Sequence, residues 1–212
     1  MKFDLHCRKC PRLSTFLDEV GKNHPDYHAR PVAPFGDDHP SLLVVGLAPG
    51  MHGANRTGRP FTGDHAGILL YETLHRHGFS SSPVSGPGDD LRLVDCRITN
   101  AVKCLPPANK PETSEIRTCN AYLCAEISDL KDGAAILALG TIAHNAVLTA
   151  IGKKAKDHPF GHGRVHEIGR WMLYDSYHCS RYNTQTKRLT AEMFGEVFAS
   201  IRNHLEKQAC PM

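Results

Sequence analysis

Apolar residues fall into four short runs, separated by segments in which they recur every three or four positions. The runs cover residues 42–47, 91–99, 134–139 and 171–174, lengths typical of strands buried on both faces. The second run is interrupted by charged residues, and residues 80–90, rich in Ser, Gly and Pro, predict a loop. Helical spacing joins Ile68, Leu69, Leu70, Tyr71 and Leu74; Ile116, Cys119, Leu123, Ile127 and Leu130; Val147 and Leu148; and Phe194, Val197, Phe198, Ile201 and Leu205.

Predicted strands and helices alternate along the chain, which indicates parallel strands joined by right-handed crossovers. We therefore expect an α/β fold, a three-layer α/β/α sandwich around a central, mainly parallel four-stranded sheet. A chain of 212 residues suits one compact domain, so residues 1–212 are expected to form a single domain. Ligands bind beyond the carboxyl ends of the strands in such sheets, which selects the loops after residues 47, 99 and 174.

The composition is that of an ordinary globular protein, with 41% hydrophobic and 22% charged residues. No apolar run approaches the roughly 20 residues that cross a bilayer, and the first seven residues lack the apolar core of a secretory signal. We therefore expect an intracellular, cytoplasmic protein with no membrane partner. The net charge of +3 permits a polyanionic partner without requiring one.

The eight cysteines favour metal binding over disulfides, because the cytosol keeps thiols reduced. Cys7 and Cys10 form a Cys-x2-Cys pair, and a four-sulfur metal site needs two more ligands, for which Cys104 and Cys119 are the best candidates. Spacing alone does not choose between iron–sulfur and zinc, and a redox role of the first pair stays open. The remaining cysteines are Cys96, Cys124, Cys179 and Cys210, of which we expect Cys96 and Cys124 to be small buried apolar residues.

The loop after the first predicted strand is long and rich in glycine. Residues 46–64 read GLAPGMHGANRTGRPFTGD, and such loops usually carry function because their glycines let a ligand approach the backbone. Phe61 either stacks on a planar group or fills the core. Neither Gly-x4-Gly-Lys-Ser/Thr nor Gly-x-Gly-x-x-Gly is present, which disfavours ordinary nucleoside triphosphate and dinucleotide sites.

The loops after the second and fourth strands carry polar candidates. Asn100 either caps a turn or reads the edge of a nucleobase, since its amide offers an acceptor and two donors in one plane. Residues 177–189 read YHCSRYNTQTKRL and place His178 among basic, aromatic and hydroxyl residues, a mixture that fits phosphate contacts. Candidates for phosphate contacts are Arg181, Lys187 and Arg188, which could alternatively be ordinary charged surface residues. Tyr182 is a candidate for insertion into the gap that a flipped base leaves.

Together these segments resemble the uracil-DNA glycosylase superfamily, most closely its family 5 (type B) branch, which contains an iron–sulfur cluster. The resemblance rests on GLAPG at 46–50, on the motif residues within 52–64, on TNAVKC at 99–104 with PPANKP after it, and on Tyr177-His178 with NTQT at 183–186. It spans almost the whole chain. It implies a monomeric DNA-repair enzyme that flips uracil out of DNA and hydrolyses its N-glycosidic bond, leaving an abasic site.

The resemblance also assigns residues. Phe61 would stack on the flipped base, Asn100 would bond its pyrimidine edge, and His178 would contact uracil O2 and stabilise the negative charge that develops there. The remaining substrate-binding candidates are Gly46, Ala48, Pro49, Gly50, His52, Ser180, Arg181 and Asn183. By the same resemblance, a structural [4Fe-4S] cluster would be held by Cys7, Cys10, Cys104 and Cys119.

The sequence departs from the family pattern in two places. Ala48 stands where better-known branches of the superfamily carry an Asp or Asn that orients the attacking water. Asn55 is the favoured replacement for that role. Asp64 is the second choice, and it could also accept a proton. His178-Cys179-Ser180 replaces the usual His-Pro-Ser, and activity is expected to survive because His178 is retained. The altered first motif also suggests that hypoxanthine or xanthine is removed.

Other functions remain open at this stage. A non-catalytic, metal-containing nucleic-acid-binding module would explain the cysteines and the basic residues, although not the first loop. A nucleobase deaminase is disfavoured, because its Pro-Cys-x-x-Cys signature is missing. A hydrolase that uses Cys179 with His178 is weaker still, because adjacent strand residues point to opposite faces.

Overall fold

The computed structural model describes residues 3–209, in which helices and strands alternate as the sequence predicts. The strands are β1 (Phe35–Gly36), β2 (Leu42–Gly46), β3 (Cys96–Asn100), β4 (Ala135–Leu139), β5 (Val165–Ile168) and β6 (Trp171–Ser176). The α-helices are α1 (Pro11–Asn23), α2 (Ala54–Thr57), α3 (His65–Arg76), α4 (Thr113–Ser128), α5 (Thr141–Ala150), α6 (Arg181–Gln185) and α7 (Ala191–Ala209). Within residues 3–209 no helix has the length and apolar character needed to cross a membrane.

The sheet has six strands in the order β1-β3-β2-β4-β6-β5. The central strands β3, β2, β4 and β6 are parallel, which confirms the predicted four-stranded core. Strands β1 and β5 add antiparallel edges that the sequence analysis missed. Both lack a continuous apolar run, because β1 has only two residues and β5 buries only one of its four side chains, that of Ile168.

Helices cover both faces of the sheet, which confirms the three-layer sandwich. Along β2, Leu42 and Val44 contribute to the core that includes residues of α3 and α7. The intervening Leu43 and Val45 contribute to a second core with residues of α4 and α5. Burial on both faces explains why β2 and β4 read as uninterrupted apolar runs.

A third core joins the N-terminal helix to the rest of the chain. Leu13, Leu17 and Val20 of α1 pack in one cluster with Val102 and with Tyr122 of α4. The sequence analysis missed α1, although apolar residues at helical spacing after Pro11 were the signal of a helix start. An ion pair reinforces the contact. Arg12 Nε and Nη2 donate to the carboxylate of Glu115 at 2.8 and 2.7 Å.

Two sequence predictions need correction. The second strand begins at Cys96 rather than at residue 91, because Asp95 adopts the left-handed region (φ 52°) and the chain turns there. Asp95 Oδ1 accepts a hydrogen bond from the Ser41 backbone N–H at 2.8 Å, which ties this turn to the start of β2. Cys124, predicted to be buried, is exposed, whereas Cys96 is fully buried as expected. Cys210 lies outside the described residues.

Candidate active site

A cleft of about 510 Å³ opens at the carboxyl ends of the parallel strands. The three loops selected from the sequence meet there, as the position of ligands in parallel sheets predicts. The predicted site residues that line the cleft are Ala48, Gly50, His52, Phe61, Asp64, Asn100, His178, Ser180 and Arg181. The sequence analysis did not single out the further lining residues Met51, His65 and Asn109.

Phe61, Asn100 and His178 converge on one side of this cleft. The Phe61 ring stacks on the His178 ring with centroids 5.8 Å apart and planes inclined by 28°. A Cβ atom on Gly46 would lie 2.4 Å from Asn100 Oδ1 and 2.7 Å from Phe61 Cζ. Gly46 is therefore needed so that these two side chains can pack over the end of β2.

Asn100 ends β3 with a carboxamide that has an unused acceptor. Its register partner on β2 is Gly46, and the next residue, Ala101, donates its backbone N–H to the Gly46 carbonyl at 2.9 Å. The Asn100 Oδ1 atom is buried and has no hydrogen-bond partner among the described residues. An unpaired buried acceptor costs about 1–3 kcal/mol, so an N–H donor that reached Oδ1 would stabilise it.

His178 is held by the turn that follows β6. Its carbonyl accepts a hydrogen bond from Asn183 Nδ2 at 2.8 Å, and Ser180 Oγ caps α6 by accepting from the Asn183 N–H at 3.4 Å. Burial lowers the pKa of His178, and the negative charge of Asp64 offsets part of that effect. The imidazole is therefore neutral at pH 7. Asn183, predicted to touch substrate, instead supports this turn and does not line the cleft.

Asp64 lines the cleft and uses one carboxylate oxygen as a helix cap. Oδ1 accepts a hydrogen bond from the Gly67 N–H at 3.1 Å at the start of α3. Oδ2 faces the first loop, where a Cβ atom on Gly53 would lie 2.3 Å from it. The glycine in the His52-Gly53 motif thus lets the loop wrap closely around the carboxylate.

Asn55, the residue favoured from sequence for positioning water, does not line the cleft. It lies in α2 with its side chain fully buried, and neither amide atom has a hydrogen-bond partner among the described residues. Its carbonyl accepts from the Ala29 N–H at 3.1 Å, so the residue faces the N-terminal segment. Pro49 is also buried and, like Gly46, contributes to the frame of the loop rather than to the lining.

The N-terminal segment contributes to the rim of the cleft, which the sequence analysis did not foresee. Tyr27 Oη is hydrogen-bonded to His52 Nδ1 at 2.8 Å, and the His24 ring stacks on Tyr27 at a centroid distance of 4.5 Å. This contact joins residues 25 positions apart that belong to no common motif. No sequence signal marked Tyr27.

The basic residues of the third loop are on the surface beside the cleft. Arg181, Lys187 and Arg188 are exposed, and Arg188 stacks its guanidinium over the Tyr177 ring at 4.5 Å. The proposed wedge, Tyr182, is 71% exposed. These positions are compatible with contacts to a polyanion that enters the cleft.

Cys7, Cys10, Cys104 and Cys119 line a single pocket between α1, α4 and the loop after β3. Burial raises the pKa of Cys104 to about 12, so an ionised sulfur there requires a nearby cation. The Lys103 backbone N–H donates to Cys119 Sγ at 3.3 Å. Four thiols in a largely apolar pocket form a donor set that fits a thiolate-bound metal.

The four sulfur atoms are not gathered as tightly as the ligands of one zinc ion would be. Among the described residues, no three of these sulfur atoms lie within 4.8 Å of one another. Four thiolates around one zinc ion, with Zn–S bonds of about 2.3 Å, would lie only about 3.8 Å apart.

Cys179 is excluded as a nucleophile. Its thiol is fully buried, and burial raises its pKa well above the ordinary range, so no thiolate is available at neutral pH. The Cys179–His178 hydrolase considered from sequence is therefore contradicted.

The family described as the Uracil DNA glycosylase superfamily matches residues 33–202. The "Type-5 uracil-DNA glycosylase" of Thermus thermophilus is 50% identical over 203 residues, with 92% of both chains covered. Proteins of the same name from Mycobacterium tuberculosis and Pyrobaculum aerophilum are 44% and 41% identical, covering 92% and 91% of this chain and 77% and 86% of theirs.

Among solved structures, the crystal structure of Pedobacter heparinus SMUG2 superimposes with a TM-score of 0.51, covering 98% of this chain and 94% of that one. At 11% sequence identity, this likeness supports the fold alone. The family match and the three relatives carry the assignment. The chain belongs to the uracil-DNA glycosylase superfamily and, within it, to the type-5 uracil-DNA glycosylases.

Proposed function

We propose that this protein is a uracil-DNA glycosylase of base excision repair, which rotates deoxyuridine out of DNA and hydrolyses its N-glycosidic bond. The observation that carries the proposal is the convergence of Phe61, Asn100 and His178 on one cleft, with the Asn100 acceptor unpaired. A base held there would stack on the Phe61 ring, form hydrogen bonds with the Asn100 carboxamide and contact the neutral imidazole of His178. Relatives named as type-5 uracil-DNA glycosylases support the same activity.

Asn100 would select uracil over cytosine. Its Oδ1 would accept the N3–H of uracil while its Nδ2 donates to O4. Cytosine has no hydrogen on N3 and carries an amino group in place of O4, so both contacts would be lost. Phe61, only 6% exposed and held in the left-handed region (φ 53°), would stack on the base.

The reaction needs a water molecule, a leaving base and a group that takes the proton. The water oxygen bonds to C1′, the C1′–N1 bond breaks, and its electron pair moves onto the uracil ring. His178 would donate an N–H to O2 and stabilise that negative charge in a site organised before the reaction. Asp64 would accept the proton of the water; we place it ahead of Asn55 because only Asp64 lines the cleft.

The remaining predicted binding residues would shape the pocket. Ala48 presents only a methyl group to the cleft, and the volume of about 510 Å³ leaves room for a base larger than a pyrimidine. We therefore extend the proposal to hypoxanthine and xanthine. The residues proposed to frame or contact the substrate are Gly46, Ala48, Pro49, Gly50, His52, Ser180, Arg181 and Asn183.

We further propose that the four cysteines of the pocket hold a [4Fe-4S] cluster. When bound, the cluster supplies four metal–thiolate bonds that cross-link the N-terminal segment to the loop after β3 and to α4. Its role is structural, because the cysteine pocket and the cleft have different lining residues. The 212 residues would thereby act as one domain, which we expect to function as a monomer.

The test of the cluster is spectroscopic. Anaerobically purified protein should absorb near 400 nm and contain iron and sulfide, and Cys104→Ser should reduce both contents. Cys96→Ser is the matched control, because Cys96 is buried on β3 outside this pocket. Stoichiometric zinc without iron would contradict the proposal.

The test of the activity is release of bases from oligonucleotides that contain one uracil, hypoxanthine or xanthine, single-stranded and paired. We expect uracil release to leave an abasic site that alkali cleaves. Binding of the oligonucleotides without release of any base would instead support the nucleic-acid-binding module considered from the sequence.

A further inference from the structure

A buried cluster of ionisable side chains is centred on β6, the strand that leads to His178. Asp175 of β6 and His144 of α5 are fully buried, and the side chain of His166 on β5 is 10% exposed. None of the three lines the cleft, and the proposed reaction uses none of them. The burial of three ionisable side chains at this position therefore needs another explanation.

Both oxygens of Asp175 are occupied. Oδ1 lies 2.6 Å from His144 Nδ1, whereas Oδ2 lies 3.1 Å from His166 Nε2 and accepts the Gly161 N–H at 3.2 Å. The second nitrogen of His144, Nε2, lies 2.8 Å from the His158 carbonyl oxygen. His144 thus links three segments: α5, β6 and the loop before β5.

These contacts determine where the protons are. A carbonyl oxygen can only accept, so His144 Nε2 carries a hydrogen. The contact between Nδ1 and Oδ1 requires a second proton, whether it resides on the imidazole or on the carboxyl group. The pair therefore holds one proton more than a neutral histidine beside an ionised carboxylate. His166, its ring 5.4 Å from that of His144, is the other titratable side chain in contact with the pair.

A metal ion between these groups is incompatible with the distances. Ligands bound to zinc through bonds of about 2.0–2.1 Å lie roughly 3.3 Å apart in a tetrahedral site. The 2.6 Å between His144 Nδ1 and Asp175 Oδ1 is too short for that, whereas it suits a strong charge-assisted hydrogen bond. The short contact therefore favours a shared proton over a metal ion at this point.

The same cluster anchors the segment that flanks His178. Backbone hydrogen bonds join Gly163 N to Asp175 O and Asp175 N to Arg164 O, both at 2.9 Å. Farther along, His162 Nδ1 accepts the Tyr177 N–H at 3.2 Å, and the two rings stack at 5.0 Å. Residues 158–166 thus follow β6 up to the residue immediately before His178.

We propose that His144 and Asp175 are a positioning pair for His178, which fix the end of β6 by locking residues 158–166 against it through a buried proton. The proposal rests on the proposed role of His178 at uracil O2. A misplacement of about 1 Å can reduce a rate by about 100-fold, so a rigid strand end matters to a residue that acts through one hydrogen bond.

The test compares His144→Gln with His204→Gln under single-turnover conditions. His204 is the matched control, because its Nε2 also contacts a backbone carbonyl, that of Gly133 at 2.8 Å, away from the cleft. We expect His144→Gln to slow uracil release at least about 10-fold, with less than about twofold change in affinity for abasic-site DNA. His204→Gln should retain the wild-type rate.

A second measurement does not depend on uracil release. With ¹⁵N-labelled histidine, NMR should show the proton shared by His144 and Asp175 at pH 7.5, and His144→Gln should shift the ring signals of His178. If the wild type releases no uracil, the proposed function fails, whereas these signals still test the positioning pair.

Three results would overturn the inference. They are an unchanged release rate in folded His144→Gln, the absence of a shared proton in the NMR spectra, and stoichiometric zinc that His144→Gln removes. Should His144→Gln not fold, His166→Gln takes its place, since it removes only the outer contact of Asp175. Slower release at an unchanged melting temperature would then support the positioning pair, and an unchanged rate would refute it.

Discussion

Among single residues, Asn100 combines an unpaired buried acceptor with a position in the lining of the cleft. We expect Asn100→Ala to lower the single-turnover rate of uracil release about 10²–10³-fold, because it removes both contacts to the edge of the base. Quenched-flow measurement of base release provides the check. Asn145→Ala, at an exposed position of α5, is the control, and equal rates for the two variants would remove Asn100 from base recognition.

The choice between Asp64 and Asn55 can be made with two variants. Asp64→Asn keeps a good helix cap while removing the proton acceptor, so the release rate should fall about 10²-fold with little change in melting temperature. Asn55→Ala, at a buried position outside the cleft, should alter stability more than the rate per folded molecule. The opposite pattern would restore Asn55 to the role predicted from the sequence.

The sequence was sufficient to find residues that directly follow a strand. Asn100 and His178 end or follow central strands, so the parallel topology brings them to the same edge. Asn55 was harder to place, because one short helical turn in α2 directs its side chain into the interior. Tyr27 was not predictable, since its contact with His52 depends on how a distant segment packs.

Among the elements, the end of β2 allows a sharp test. A methyl group on Gly46 would collide with Asn100 Oδ1 and the Phe61 ring, so Gly46→Ala should displace both and lower the release rate at least about 10-fold. Gly195→Ala in α7 is the control, because its nearest neighbour, His77 Nε2, is 4.0 Å from the added atom. The control should retain the rate and gain up to about 1 kcal/mol of stability. Wild-type activity in Gly46→Ala would show that the packing there is not required.

Strands that are buried on both faces were easier to predict from the sequence than exposed ones. The four central strands are covered on both faces and therefore appear as apolar runs, whereas the exposed edge strand β5 gives no such signal. The segment 158–166, with its three histidines, matches no motif, because its contacts are to Asp175 of β6 and to Tyr177, which follows that strand. Contacts of this kind between separate segments can be identified only from the folded structure.

For the whole molecule, buried histidines predict how stability depends on pH. Burial lowers the pKa of His77, His162 and His178 below the ordinary value near 6.5. Between that value and the lowered ones, the unfolded chain binds more protons, so the free energy of unfolding should fall as the pH falls below about 6.5. Urea unfolding at pH 7.5 and 5.5 measures the difference.

The variant His162→Gln isolates one of these contributions. The Gln side chain offers an oxygen to the Tyr177 N–H but does not titrate, so the variant should lose less stability between pH 7.5 and 5.5 than the wild type. Comparing the two chains cancels any effect of acid on the proposed metal cluster, which both would carry. An identical pH dependence would assign the loss of stability to other groups.

The N-terminal segment connects the cysteine pocket to the cleft. After Cys7, Cys10 and α1, the chain runs alongside the first loop, where His28 N donates to Arg56 O at 3.0 Å and Tyr27 reaches His52. Under the proposed ligation, iron scarcity or oxidants would leave the polypeptide with an intact sheet but release this arm. Protein from a starved or oxidatively stressed cell would then release uracil more slowly per molecule, while its amount, measured by antibody, stayed constant.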